Sequence, residues 1–75
     1  MPELRRVSGR EAIRALERLG FEQVRQRGSH VILRKQTSEG AIGCVVPLHH
    51  ELAVGTLRGI LRQAKVAPQD FIDTL

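Results

Sequence analysis

The sequence predicts an α+β domain in the order helix, three strands, helix, with a short terminal helix. Three observations carry this reading. Apolar residues recur at helical spacing behind a capping signal near residue 8. Three short runs of β-branched and aliphatic residues follow, divided by glycines and polar residues. A second helical repeat and a proline then close the chain. Three antiparallel strands with both helices on one face would bury Leu16, Leu19, Ile60 and Leu61 against one side of the sheet and leave the other side open.

Each element has its own signal. Ser8-Gly9-Arg10-Glu11 has the form of a capping box, with Ser8 as N-cap and Glu11 at the third helical position. Ala12, Ile13, Leu16 and Leu19 line one face behind it, and Gly20 supplies the stop, so the helix is expected over about Gly9 to Leu19. Phe21 to Arg27 alternates loosely, with Val24 between polar residues, and reads as a strand. Gly28 turns the chain, and His30 to Lys35 forms a hairpin with the first strand. Gln36 to Gly40 reads as a polar loop. Ala41 to Val46 is a third strand closed by Pro47, which has no amide hydrogen for a ladder. Leu57, Ile60, Leu61 and Ala64 mark a helix over about Gly55 to Lys65, with Gly55 or Thr56 near its cap. Pro68 suits the first turn of a last helix, Pro68 to Asp73, with Phe71 and Ile72 facing inward.

At 75 residues the chain is expected to be one domain over 1–75, too small for a deep cavity between lobes, so any site should lie on an open face. The single Cys44 stands in an apolar run and reads as a buried thiol. No apolar stretch approaches a membrane span, and Met1-Pro2-Glu3-Leu4-Arg5-Arg6 lacks the apolar core of a signal peptide. A soluble cytoplasmic protein is therefore expected. Residues 1–35 hold nine Lys or Arg and four acids, whereas residues 36–75 hold three and four. Ten of the twelve cations are arginine, the side chain suited to forked phosphate contacts. Such a concentration fits a polyanionic partner, and it also fits ordinary solubilising charge.

Arg27-Gly28-Ser29-His30 is the phrase that suggests chemistry. Imidazole exchanges protons near neutral pH. At the start of a strand, His30 would sit at the sheet rim near Arg25 and Arg27 across the hairpin. RNA scission needs a base for the 2′-hydroxyl and charge stabilisation at the phosphate, which His30 with Arg27, Arg34 or Lys35 can supply. The residues alone equally allow a hydrogen-bonded structural histidine. His49-His50-Glu51 matches no recognised metal spacing, so no metal or other cofactor is expected, and His49 reads as a packing or hydrogen-bonding residue. Arg58 and Arg62, one turn apart on the second helix, form a basic edge, and some of Arg10, Arg14, Arg58 and Arg62 are expected to contact phosphate. Phe21 and Phe71 are expected in the core, which leaves no platform for base stacking. Backbone and shape recognition, as with double-stranded RNA, is more compatible.

Taken in order, Leu19-Gly20-Phe21, Arg27-Gly28-Ser29-His30, Val46-Pro47-Leu48-His49 and the run Gly55-Thr56-Leu57-Arg58-Gly59-Ile60-Leu61-Arg62-Gln63-Ala64 resemble the HicA toxins. The similarity covers roughly Ser8 to Ile72. It implies a fold like the double-stranded-RNA-binding domain. It further implies a type II toxin that cleaves mRNA without a metal, with His30 as the catalytic histidine. The implied partner is a HicB-type antitoxin that covers the active site. Taken with the basic surface, it leaves Arg25, Arg27, Gly28, Ser29, Arg34, Lys35, Arg58 and Arg62 as the candidate RNA contacts. Two other readings compete with an mRNA interferase: a non-catalytic RNA-binding module of the same fold, and an interaction protein whose basic face meets an acidic partner.

Overall fold

Ser8 starts the first helix. In the computed structural model, which describes residues 4–75, the Ser8 hydroxyl accepts the Glu11 amide at 3.0 Å and the Glu11 carboxylate accepts the Ser8 amide at 2.9 Å. This reciprocal box opens α1, Gly9–Arg18, which buries Ala12, Ile13, Ala15 and Leu16. Leu19 is its C-cap and Gly20, at φ 101°, turns the chain out of the helix. Residues 1–3, part of the single-domain expectation, lie outside the described residues.

Three strands follow: β1 (Glu22–Arg27), β2 (His30–Thr37) and β3 (Gly40–Pro47), in an antiparallel sheet of order β1-β2-β3. The β2–β3 connection is shorter than the polar loop expected over Gln36 to Gly40. Gln36 and Thr37 continue the ladder opposite Ala41 and Gly40. The Thr37 hydroxyl donates to the Gly40 carbonyl at 2.7 Å and accepts the Glu39 amide at 3.2 Å, while Gly40 takes φ 119°. Turn chemistry thus extends the hairpin past the last apolar residue.

The second helix, α2 (Val54–Ala64), begins one residue before the expected start. Its N-cap is Ala53, with no side-chain cap bond, so neither Gly55 nor Thr56 caps it. The entry is fixed instead by Leu52, which is fully buried and whose amide donates to the Val7 carbonyl at 2.7 Å. Lys65 ends α2 in the left-handed region at φ 55°. Pro68 opens α3 (Pro68–Ile72), which plants Phe71 in the core.

Both faces of β2 carry aliphatics, and the structure decides between them. Val31 and Leu33, with Cys44 and Val46 of β3, are buried in one cluster with Leu16, Leu57, Ile60, Leu61 and Phe71. His30 and Arg34, on the other side of β2, are exposed, as is Val45 of β3. The fold is α+β and consistent with the double-stranded-RNA-binding domain, and the histidine lies on its open sheet face. Among the described residues no helix is long and apolar enough to cross a membrane.

Candidate functional site

The turn before His30 has two residues, since Arg27 and His30 are cross-strand partners. Gly28 has φ 58° and Ser29 does not share that sign, the pattern of a type II′ turn, which demands glycine at its first position. The Gln26 side-chain amide donates to the Gly28 carbonyl at 3.0 Å and braces the turn. His30 therefore begins β2 at the rim, exposed, with Arg27 directly opposite at a Cα separation of roughly 4.5–5.5 Å.

A β-bulge determines which arginines join it. Gln23 pairs with Leu33, but Arg25, not Val24, pairs with Ile32, so Val24 is the extra residue. A slip of one residue exchanges the faces of everything beyond it. Past the bulge, Arg25 and Arg27 share the open face with Ile32 and His30, and Gln26 faces α1 with Val31. An unbroken alternation from Glu22 would have turned both arginines toward the helices. The bulge also explains why the apolar Val24 is 48% exposed.

Arg34 is on the same open face, four residues along β2 from His30, about 13 Å at the usual rise per residue. It can serve the same polyanion at a different phosphate. Lys35 points to the opposite face, where its ammonium stands 5.9 Å from the Phe21 ring centroid. Arg58 and Arg62 lie on α2, where they flank a shallow cavity with Leu61, Val66 and Pro68. The structure thus gathers Arg25, Arg27, Gly28, Ser29 and His30 at one rim, with Arg34 further along, and sets Lys35, Arg58 and Arg62 apart.

The rim is tied to two other segments. Ser29 accepts the Leu48 amide at 2.7 Å, and His49 accepts the Gly9 amide at 2.8 Å. Gly9 is buried against the end of β3; a Cβ there would overlap the Pro47 carbonyl oxygen and come within 3.0 Å of Leu48 Cα. The first turn of α1, the exit of β3 and the Gly28-Ser29 turn are therefore one backbone-bonded corner. Sequence reasoning gave Gly9 no such role. The available signal was a poor helix former directly behind a strong cap.

Other chemistry is poorly provided for. Burial pushes the Cys44 thiol up to about 11, which leaves little thiolate at neutral pH. Among the described residues no group of three His, Cys, Asp or Glu is placed to hold a metal ion, and His49-His50-Glu51 does not converge into one. Glu51 instead lies 3.6 Å from Arg6. The corner offers one strand-end imidazole, guanidinium groups beside it, and an open surface on which a long polyanion can lie.

The family described as HicA toxin of bacterial toxin–antitoxin matches residues 9–66, from the first residue of α1 to just past α2. No curated protein matches the chain.

Proposed function

The chain belongs to the HicA toxin family of toxin–antitoxin systems, and we propose that it is a metal-independent endoribonuclease that cleaves mRNA with His30 as its proton-transfer group. The observation that carries this reading is an exposed imidazole at the sheet rim with Arg27 across from it and Arg25 two residue pairs further along the same open face. His30 would take the 2′-hydroxyl proton or deliver one to the leaving oxygen. Arg27 and Arg25 would offset the charge that develops on the phosphate. Gly28 and Ser29 hold the turn, and Arg34 extends the basic surface of the open face to a flanking phosphate, whereas Lys35, Arg58 and Arg62 would reach only RNA that wraps past the sheet. The open face suits a substrate laid across it. General acid–base catalysis by one group contributes about 10²–10⁴-fold, and a toxin can work at such modest rates because each cut disables a message.

Family membership implies an antitoxin partner. A HicB-type antitoxin that covers the open face around His30 would block RNA access without altering the fold. The proposal includes a single domain acting in the cytoplasm. Its test is incubation of purified protein with a labelled mRNA in EDTA. Scission is expected, and addition of a divalent ion should not be needed. RNA that binds and stays intact would favour the non-catalytic RNA-binding module. Activity lost in EDTA and restored by a divalent ion would contradict the metal-free mechanism.

A further inference from the structure

We infer that a second phosphate site lies beside the His30 rim, in the cavity between the first turn of α1 and the exit of β3, with Arg10, His49 and His50 as its ligands. It rests on the reading above in that RNA is the polyanion. The cavity consists of two open pockets, of about 290 and 170 Å³, that share Arg10 and Leu48. The larger part is lined by Ser8, Arg10, Leu48, His49 and His50, which include three nitrogen-bearing side chains and no carboxylate.

The acids next to the larger part are engaged by other groups. Glu11 accepts the Ser8 amide at 2.9 Å, and Glu51 pairs with Arg6. Two of the backbone amides at the helix start are also engaged, Gly9 by the His49 carbonyl and Glu11 by the Ser8 hydroxyl. Arg10 is the permanent positive charge of the cavity.

Arg10 and Leu48 also line the smaller part, which continues between α1 and β1 past Arg14, Gln23 and Gln26 and includes one carboxylate, Glu17, which accepts the Gln23 side-chain amide at 3.5 Å. Gln26 is the residue bonded to the turn at Gly28. A phosphodiester chain lying in this trough would thus run beside the turn that presents His30. The Leu48–Ser29 and Gly9–His49 hydrogen bonds fix the distance between the two places. No Phe, Tyr or Trp lines either part.

The test uses the full chain carrying His30→Ala and a labelled RNA oligonucleotide, with affinity read by fluorescence anisotropy across several salt concentrations. Adding Arg10→Gln with His49→Gln should weaken binding about tenfold, the loss expected for charge-assisted contacts. It should also reduce the slope of log affinity against log salt by about 0.7, the single-strand value for one phosphate. Arg10→Lys should recover most of the affinity. Because these side chains are exposed, thermal melts should match the parent. Unchanged affinity and slope in folded variants would overturn the inference. Wild-type cleavage run in parallel separates the two proposals. Cleavage with unchanged binding by the double variant removes this site alone. Weakened binding without wild-type cleavage removes the ribonuclease reading alone. No RNA binding by any form removes both.

Discussion

Replacing Gly9 with alanine should destabilise the protein, although glycine to alanine within a helix is ordinarily favourable. Helix propensity alone would contribute about 1 kcal/mol of stability. Here the new methyl meets backbone on the far side: the Pro47 carbonyl oxygen, with Leu48 Cα and Pro47 C both at 3.0 Å. Neither can rotate away as a side chain would. Either α1 moves off β3, or the Gly9–His49 hydrogen bond opens. Overpacking of this kind costs about 1–3 kcal/mol, and a lost backbone bond adds roughly 0.5–1.5 kcal/mol. Against the propensity gain, the net loss is about 1–3 kcal/mol. For a domain of this size each kcal/mol moves Tm by about 4–8 °C. Gly59→Ala in α2 is the internal control. Its Cβ would meet nothing within 4 Å, so the same chemical change there should stabilise by about 1 kcal/mol. Urea denaturation of the two variants and the parent measures both signs. A Gly9→Ala protein as stable as wild type, or more stable, would refute the close packing of α1 on the β3 exit.

Two pH dependences follow from the ionisable groups. The Ser8 amide bound to Glu11, with the Ser8 hydroxyl, Arg5 and Arg14 nearby, holds the Glu11 carboxyl below its ordinary 4.5. Its contribution is present above that value and is lost as pH falls through the lowered one. Glu11→Gln should flatten part of the acid decline in stability measured by denaturation, and identical acid limbs for variant and parent would contradict this. The Cys44 thiol has the opposite sense. Its pKa rises from 9.0 to about 11 on folding, so its effect is absent below pH 9 and costs stability increasingly from pH 9 to 11. Cys44→Ala should lack that alkaline decline. A thiol reagent at pH 8 should label the unfolded chain and spare the native one, and rapid native labelling would show that the thiol is accessible.

Much of the architecture is legible locally. The reciprocal bonds of Ser8 and Glu11 are readable from a four-residue pattern because both partners lie within one helical turn. The turn before His30 is readable because a two-residue hairpin of this type needs Gly28. What escapes the sequence is set by tertiary contact. The start of α2 depends on Leu52 docking against Val7, residues 45 positions apart, so a cap rule applied to Gly55 and Thr56 misplaces it. The bulge at Val24 leaves no compositional mark, yet it decides which face Arg25 and Arg27 occupy. Lys35 beside Arg34 looks like one basic pair, but strand alternation sends Lys35 over Phe21 and Arg34 to the open face. The corner that joins Gly9, Ser29 and His49 was invisible for the same reason: its three segments meet only after the sheet and α1 have packed.

The central claim is that His30 carries the proton transfer in RNA cleavage. Its most direct test is the single-turnover cleavage rate of one labelled mRNA, in EDTA, by wild type and by His30→Ala. The variant's fold should be confirmed by its melt and its RNA affinity by anisotropy. The account predicts a rate lower by about 10²–10⁴-fold in the variant, with stability and RNA binding nearly unchanged, because the imidazole is exposed. Cleavage at the wild-type rate by a folded His30→Ala protein would contradict it.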